Sequence, residues 1–245
     1  MAEPGSASAK EEFRGRVALI ASPIGNLGDL SFRARERLES ADLICCEDTR
    51  HSIRLLQRHE IGRKALLSLH DRNEASRAEE IIARAREGAA VCVLSDAGMP
   101  TVSDPGYRLV RACIEAEVPV DVLPGPSAVL TALAGSGLPT DAFYFGGFLP
   151  PKSGRRETEL REALERRATS IYFESPHRIA KTLTALAALD PERSVCVARE
   201  LTKKFETFHR GSAGELAEAF NRQPRKGEMT LLIEGATRRR RPEKD

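Results

Sequence analysis

The sequence has no apolar run that approaches the roughly 20 residues of a membrane-spanning helix. It contains no C-x-x-C pair, no H-E-x-x-H motif and no other cysteine and histidine spacing typical of a metal site. The G-x-G-x-x-G fingerprint of dinucleotide-binding folds is missing, and so is the G-x-x-x-x-G-K phosphate loop. These absences argue against a membrane protein, a metalloenzyme and a nicotinamide-dependent oxidoreductase.

The composition predicts a soluble protein with one large or two small domains. The chain has 245 residues, of which 41% are hydrophobic and 30% are charged. Its first ten residues lack the apolar segment of a signal peptide, so we expect a disordered leader over residues 1–14 and a cytoplasmic location. The five cysteines are expected to be buried and reduced, as in cytosolic proteins.

Positive charge is concentrated in the second half, although the net charge is only +2. Residues 1–140 carry 17 basic and 20 acidic side chains, whereas residues 141–245 carry 21 basic and 16 acidic ones. The basic residues cluster at Lys152/Arg155/Arg156, Lys203/Lys204, Arg225/Lys226 and Arg238–Arg241. Such clusters are typical of contacts with nucleic-acid phosphates, but a solvated surface with a loose basic tail over residues 237–245 explains them as well.

Strand and helix patterns alternate through the first half, which predicts a parallel sheet covered by helices on both faces. After a glycine-rich stretch over residues 135–140, shorter connections favour antiparallel pairing. We therefore predict two α/β domains with a cofactor in the interdomain cleft. The N-terminal domain, residues 15–136, has a five-stranded parallel sheet, and the C-terminal domain, residues 141–236, has a mixed sheet.

Three loops that follow predicted strands are rich in Gly, Pro, Ser and Asp: residues 22–29, 95–106 and 123–128. Such residues hold the backbone in special conformations, and ligands of open α/β sheets bind at the carboxyl ends of strands. Asp104 and Pro105 also fit the cap and the first position of the next helix. Because no phosphate loop is present, a neutral or cationic cofactor suits these loops better than a phosphate.

Nine segments carry a further signal: Ser22–Asp29, Cys46–His51, Ser95–Gly98, Ser103–Gly106, Pro124–Ser127, Gly147–Pro150, Phe173–Arg178, Ala198–Lys203 and Lys226–Met229. In this order they closely resemble the tetrapyrrole-methylase superfamily and, within it, the branch of ribosomal RNA small-subunit methyltransferase I. The resemblance covers roughly residues 15–236, and its motifs are specific in combination. Met99 departs from the pattern, because Thr or Ser is more usual there.

The resemblance implies S-adenosylmethionine as methyl donor, held folded in the interdomain cleft, and a homodimer. It implies that the substrate is a cytidine in the decoding region of 16S ribosomal RNA, in the small subunit, methylated on its ribose 2′-oxygen. The basic second half agrees with an RNA substrate.

The resemblance also implies which residues bind the cofactor. In the first half they are Pro23, Gly25, Ser95, Asp96, Ala97, Gly98, Ser103, Ser127 and Ala128. The second half contributes Glu174, Leu201, Gly227 and Met229. Helix capping alone would explain Ser103 and Ser127, and an Asx turn would explain Asp96.

A ribose hydroxyl is a poor nucleophile, so a general base would help the reaction by about 10²–10⁴-fold. Glu47, Asp48 and His70 follow predicted strands and are the catalytic candidates, with Asp96 as a further carboxylate. Helix capping by the Glu47–Asp48 pair and a structural role for His70 are the alternatives.

The basic residues after the predicted linker are the first candidates for RNA contact: Lys152, Arg155 and Arg156. Arg50, Arg178 and Lys203 are further candidates, and Arg238–Arg241 could add non-specific affinity. Two other functions stay open from the residues alone. One is methylation of a tetrapyrrole or another small acceptor, and the other is an RNA-binding or ribosome-assembly factor with an inactive cofactor site.

Overall fold

The structure is a computed structural model that describes residues 12–236. It divides the chain between Ser127 and Ala128 into two units. The boundary precedes the expected linker, so the helix that begins at Ala128 belongs to the second unit. Of the expected leader only residues 12–14 are described, and the basic tail over residues 237–245 lies outside the described residues.

The first unit is a parallel five-stranded sheet with helices between its strands. Its strands are β1 (Val17–Ile20), β2 (Leu43–Cys46), β3 (Ala65–Ser68), β4 (Val91–Leu94) and β5 (Val120–Leu123). Its helices are α1 (Phe32–Ser40), α2 (Thr49–Arg58), α3 (Glu74–Arg86) and α4 (Tyr107–Glu115). The strand order is β3-β2-β4-β1-β5, and every pairing is parallel, which confirms the predicted sheet.

Alternate side chains of the strands feed two cores, one on each face of the first sheet. Ala18 and Ile20 of β1 pack with Leu38 of α1, whereas Val17 and Leu19 pack with Ile81 of α3. A strand that is buried on both faces needs apolar residues at every position, which explains the uninterrupted apolar sequences of β1 and β4.

Phe13 lies within the expected disordered leader, but it is fully buried in the core of the first unit. Its ring lies 4.6 Å from the guanidinium of Arg37. The expectation that residues through 14 are disordered is therefore wrong for residues 12–14. The reason is that a single buried aromatic ring anchors the segment before β1.

The second unit is a mixed sheet. Its strands are β6 (Phe143–Phe148), β7 (Thr169–Glu174), β8 (Ser194–Arg199), β9 (Thr207–Ser212) and β10 (Met229–Ile233). Its helices are α5 (Ala128–Ser136), α6 (Ser153–Glu165), α7 (Ile179–Leu189) and α8 (Ala213–Arg222). The strand order is β6-β7-β10-β8-β9, in which only β6 and β7 are parallel, so the predicted mixed sheet is confirmed.

The two faces of the second sheet are covered by different helices. Leu160 of α6, Leu183 of α7 and Phe220 of α8 form one core with Tyr172 and Leu231. The opposite face carries Phe173, Thr230, Ala198 and Phe208 in cross-strand register. On that face α5 packs across β10, β8 and β9.

All five cysteines are buried and none forms a disulfide, as expected from the sequence. Burial raises the pKa of Cys113 and of Cys196 to about 11, so both are protonated near neutral pH. Among the helices in residues 12–236, none is long and apolar enough to cross a membrane.

The prediction that α4 begins at Asp104 and Pro105 is wrong. The helix begins at Tyr107, and its cap residue Gly106 has a φ of 128°, which favours glycine. The acceptor for the helix start comes from a distant residue instead. The buried carboxylate of Glu74 accepts hydrogen bonds from the N–H groups of Gly106 and Leu109, each at 3.0 Å.

We expect Glu74→Ala to lower the free energy of unfolding by about 2–4 kcal/mol, because it leaves two buried N–H groups without an acceptor. Glu74→Gln keeps an acceptor oxygen and is expected to cost about 1–2 kcal/mol. Urea unfolding followed by circular dichroism measures both. Glu79→Ala, on the exposed face of the same helix, is expected to change stability by less than about 0.5 kcal/mol. Equal losses for the two alanine variants would contradict the capping role of Glu74.

Candidate cofactor and active site

The loops after β1 and β4 are joined directly at the carboxyl edge of the first sheet. Ser22 and Gly98 exchange two backbone hydrogen bonds, of 2.9 and 3.0 Å. The Ser22 hydroxyl donates to the carbonyl of Ser95 at 2.8 Å, and the Ser95 hydroxyl donates to the carbonyl of Gly98 at 2.6 Å. We call these four contacts the Ser22–Gly98 clasp. It fixes two of the three sequence-predicted loops in one arrangement.

Two glycines let the loops approach closely. Gly98 has a φ of 84°, a left-handed conformation that glycine adopts without strain. Gly125, in the loop after β5, has no room for a side chain, because a Cβ there would lie 2.8 Å from the Cβ of Ala21. Gly25, Ala97 and Gly125 are exposed and add little bulk, so the three loops leave backbone groups accessible at this edge.

The loop between β4 and α4 also stores backbone strain. Thr101 has a φ of 76° and Ser103 a φ of 63°, and a left-handed conformation is rare for residues other than glycine, above all for β-branched ones. Such residues cluster where a binding site fixes the backbone. Ser103 is exposed, as a ligand-contacting hydroxyl requires.

Carboxylates gather at the same edge. The Asp96 carboxylate accepts a hydrogen bond from the N–H of Asp48 at 3.2 Å, which ties the end of β2 to the loop after β4. Glu47, Asp71 and Asp104 are close enough to interact electrostatically with Asp96 or with one another. This local excess of negative charge suits a cationic ligand.

Asp104 is the carboxyl group whose pKa is shifted most by this environment. Partial burial raises its pKa to about 7, with help from the charges of Glu47, Asp96 and Asp71. The sequence pattern marked Asp104 only as a helix cap, so its candidacy as an acid or base was missed. The residues next to Asp104 in the sequence give no sign of its raised pKa, because the three carboxylates that raise it follow other strands or belong to another part of the loop.

The pKa values of Asp48 and Glu47 are shifted in opposite directions. Asp48 caps α2, and its carboxylate binds both the backbone and the side chain of Arg50, with an ion-pair distance of 3.0 Å. These bonds lower the pKa of Asp48 to about 2. Partial burial of the carboxyl and the charges of Asp96 and Asp71 raise the pKa of Glu47. A base that works near neutral pH needs a raised pKa, so Glu47 fits that role better than Asp48.

His70 follows β3 and lies half-buried. Its backbone N–H donates to the side chain of Asn73 at 2.8 Å, which fixes the turn. His70 interacts electrostatically with Glu47. The catalytic candidates Glu47, Asp48 and His70 therefore belong to one edge of the first sheet, as their places after β2 and β3 predict.

The candidate cofactor residues of the second unit lie at one edge of its sheet. Glu174 and Met229 are cross-strand partners at the ends of β7 and β10. Gly227 has a φ of 102°, and a Cβ there would lie 2.6 Å from the Glu200 carboxyl group. Leu201 follows Glu200 and is buried. The structure thus groups Glu174, Leu201, Gly227 and Met229 within their unit.

The Glu174 carboxylate is fully buried and engaged by its own surroundings. It accepts hydrogen bonds from the N–H of Ser175 at 2.7 Å and the hydroxyl of Thr182 at 2.8 Å. It also pairs with Arg178 at 2.6 Å. In this structure the side chain of Glu174 therefore organises the segment after β7, and contact with a ligand there would come from neighbouring backbone groups.

The candidate RNA-binding residues fall into three groups. Lys152, Arg155 and Arg50 are exposed, and Arg50 pairs with Asp48. Arg156 is buried and donates to the carbonyl of Pro151 at 3.3 Å. The remaining two are engaged by acids, since Arg178 pairs with Glu174 and Lys203 with Glu200 and Glu228. Lys152 and Arg155 are thus the most available cations of the set.

Comparison with known proteins identifies the family. A family model described as Tetrapyrrole (Corrin/Porphyrin) Methylases matches residues 16–217. Proteins named ribosomal RNA small subunit methyltransferase I are similar over most of the chain. The Escherichia coli O157:H7 protein is 46% identical, over 91% of this chain and 78% of its own length. The Thermotoga maritima protein is 41% identical, over 90% of this chain and 99% of its own length.

Solved structures share the fold. Uroporphyrin-III C-methyl transferase from Thermus thermophilus, complexed with S-adenyl homocysteine, has 20% identity and a TM-score of 0.61 over 89% of this chain and 96% of its own. A cobalt precorrin-4 methyltransferase from cobalamin biosynthesis has 16% identity and a TM-score of 0.65 over 94% and 98%. The chain belongs to the tetrapyrrole (corrin/porphyrin) methylase family and, within it, to the group of ribosomal RNA small subunit methyltransferase I proteins.

Proposed function

We propose that this protein transfers a methyl group from S-adenosylmethionine to small-subunit ribosomal RNA. The site of methylation in this proposal is the ribose 2′-oxygen of a cytidine in the decoding region. The observation that carries the proposal is the Ser22–Gly98 clasp within a chain more than 40% identical to ribosomal RNA small subunit methyltransferase I proteins.

The loops of the first unit fit S-adenosylmethionine. Exposed backbone at Gly25, Ala97 and Gly125 leaves space for the methionine and ribose parts, and Ser103 supplies a hydroxyl. The carboxylates of Asp96 and Asp104 lie where a positive charge is stabilised. Within residues 12–236, no group of three His, Cys, Asp or Glu side chains is placed to hold a metal ion.

When bound, S-adenosylmethionine supplies an electrophilic methyl group on a sulfonium cation. The protein must align the attacking hydroxyl and receive its proton, and alignment alone is worth effective molarities of roughly 10⁵–10⁸ M. Asp104 suits the proton acceptor, because its pKa of about 7 leaves a substantial carboxylate fraction at neutral pH. Glu47 is the second candidate.

An RNA acceptor is favoured over a small tetrapyrrole by two features. The exposed cations Lys152 and Arg155 suit phosphates, which an RNA chain supplies in series. The similarity to uroporphyrin and precorrin methyltransferases is in fold, at 16–21% identity, whereas similarity to rRNA methyltransferases exceeds 40%. The homodimer implied by the resemblance and the cytoplasmic location expected from the sequence belong to the same proposal.

The proposal is tested by incubating the protein with methyl-labelled S-adenosylmethionine and small ribosomal subunits from cells that lack this activity. We expect one labelled ribose 2′-oxygen on a cytidine, mapped by nuclease digestion and mass spectrometry. Label on a base would contradict the 2′-oxygen assignment. Cofactor binding by calorimetry without any labelled RNA would instead favour a binding factor or a small-molecule acceptor.

We expect Gly98→Ala to weaken S-adenosylmethionine binding about tenfold, because strain of roughly 1–2 kcal/mol at a left-handed position distorts the clasp. Isothermal titration calorimetry measures the change. The matched control is Gly88→Ala in the turn before β4, with a φ of 92° and open space around a Cβ. The backbone strain in Gly88→Ala is similar, but this variant is expected to bind S-adenosylmethionine with the affinity of the unmodified protein. Equal weakening in both variants would contradict a specific role of the clasp.

We expect the methylation rate to fall as the pH drops through about 7, because protonated Asp104 cannot accept a proton. Asp104→Asn is expected to lower kcat by about 10²–10⁴-fold and to abolish this dependence. Asp71→Asn removes one of the charges that raise the pKa of Asp104, so its rate profile is expected to shift to lower pH. If the methylation rate of Asp104→Asn still falls as the pH drops through about 7, the proton acceptor is Glu47 instead.

A further inference from the structure

We propose that Phe148, supported by Phe145 and Phe173, is a stacking platform for an unpaired base of the RNA substrate. Lys152 and Arg155 would hold the phosphates beside that base. The inference rests on the proposed function, because it takes RNA as the substrate.

A β-bulge places Phe148 on the surface. In a regular strand, residues three positions apart point to opposite faces. The pairing of β6 with β7 shifts between Phe145 and Phe148, and the extra residue returns Phe148 to the face of Phe145. Gly147 has a φ of 66°, and a Cβ at Gly146 would clash with the ring of Tyr172. The two glycines therefore make the bulge possible.

The three rings form one cluster. Phe173 lies 5.0 Å from Phe145 and 5.3 Å from Phe148, measured between ring centroids, both in edge-to-face geometry. Phe148 is 63% exposed, whereas Phe145 and Phe173 are partly buried. Phe148 contacts Phe173, which in turn contacts Phe145, and an exposed ring held in this way loses little conformational freedom when a base stacks on it.

Hydrogen bonds hold the segment after the platform. The N–H of Leu149 donates to the carbonyl of Phe173, and Arg178 donates to the carbonyl of Leu149, both at 3.3 Å. Leu149 itself is buried, and Arg156 donates to the carbonyl of Pro151. The geometry of this turn thus depends on Arg156 and Arg178, two arginines that the sequence suggested as direct RNA contacts.

Positive charge adjoins the platform. Lys152 is four residues from Phe148, so their Cα atoms lie within about 14 Å of each other. Lys152 and Arg155 are exposed and form no ion pair with any residue in the described range 12–236. Three of the four acids of α6 are engaged elsewhere, since Glu157 pairs with Arg161, and Glu159 and Glu162 pair with Arg166.

An exposed aromatic ring beside unpaired cations is the combination that single-stranded nucleic acids need. Bases stack on aromatic side chains, and phosphates bind the neighbouring cations. The bases of single-stranded RNA can be splayed out of their stack, and an unstacked base beside the methylated ribose needs a new surface on which to stack. The platform supplies that surface without reading the identity of the base.

The test measures fluorescence anisotropy with a labelled single-stranded RNA of the decoding region and with a duplex of the same sequence. Stacking is worth about 1–3 kcal/mol per base, so we expect Phe148→Ala to weaken single-strand binding roughly 5- to 150-fold. Phe148→Leu, which keeps apolar bulk but has no ring, is expected to behave like the alanine variant. Phe148→Tyr is expected to bind within about threefold of the unmodified protein.

Three controls accompany these variants. Phe32→Ala removes another exposed phenylalanine, 88% accessible on α1, and is expected to leave RNA binding unchanged. Duplex binding is expected to be equal in all variants, because paired bases cannot stack on a ring. Calorimetric binding of S-adenosylmethionine and thermal unfolding verify that each variant is folded.

Single-strand affinity in Phe148→Ala equal to that of the unmodified protein would overturn the platform, and so would full recovery in Phe148→Leu. If sedimentation gives a lower mass for Phe148→Ala than for the unmodified protein, the platform is also overturned, because Phe148 then contacts a second copy of the chain. Failure of the unmodified protein to bind or methylate RNA would overturn the proposed function itself. A protein that methylates RNA but is insensitive to Phe148 would refute the platform alone.

Discussion

The two backbone hydrogen bonds between Ser22 and Gly98 are the constraint on which the first unit's candidate site depends. They join the loops after β1 and β4, neighbouring strands in the middle of a parallel sheet. Parallel strands end at the same edge, but their loops would be free to diverge without a cross-link. The clasp removes that freedom before any ligand arrives, so binding does not have to order the loops.

The clasp also explains why carboxylates of different loops influence one another. Asp96 belongs to the clasped segment, and it holds the N–H of Asp48 at the end of β2. Glu47 therefore stays near the loop that carries Asp104. A shifted pKa at Asp104 and an ordinary helix cap at Asp48 arise within one short stretch of sheet edge, because one carboxyl is partly buried and the other is bound by arginine.

Much of the fold could be predicted from the sequence, because its signals are local. The parallel first sheet and the mixed second sheet follow from the alternation of strand and helix patterns and from the lengths of the connections between them. The start of α4 could not be predicted, because the acceptor for its first N–H groups is Glu74, which lies 32 residues before the cap residue Gly106. The burial of Phe13 was missed for a similar reason, since nothing near it in the sequence indicates its partner Arg37.

The candidate site was predictable in its loops and less so in its side chains. The resemblance implied Glu174 as a ligand contact and the basic cluster suggested Arg156 as an RNA contact, whereas in the structure both side chains are buried and hold the turns around β6 and β7. Asp104 is the opposite case, because its sequence position suggested only a cap, whereas partial burial raises its pKa to about 7. Burial and long-range electrostatic interactions decide such roles, and a local sequence motif indicates neither of them.

The buried cysteines have a consequence for how the motions of this protein can be observed. A thiol that is sealed in a core reacts with a labelling reagent only when its surroundings open. Cys45, Cys46, Cys92 and Cys113 lie in the first unit, and Cys196 lies alone in the second. The chain thus carries separate built-in reporters for the opening of each unit, and the rate at which Cys196 is labelled describes the second unit without any engineered probe.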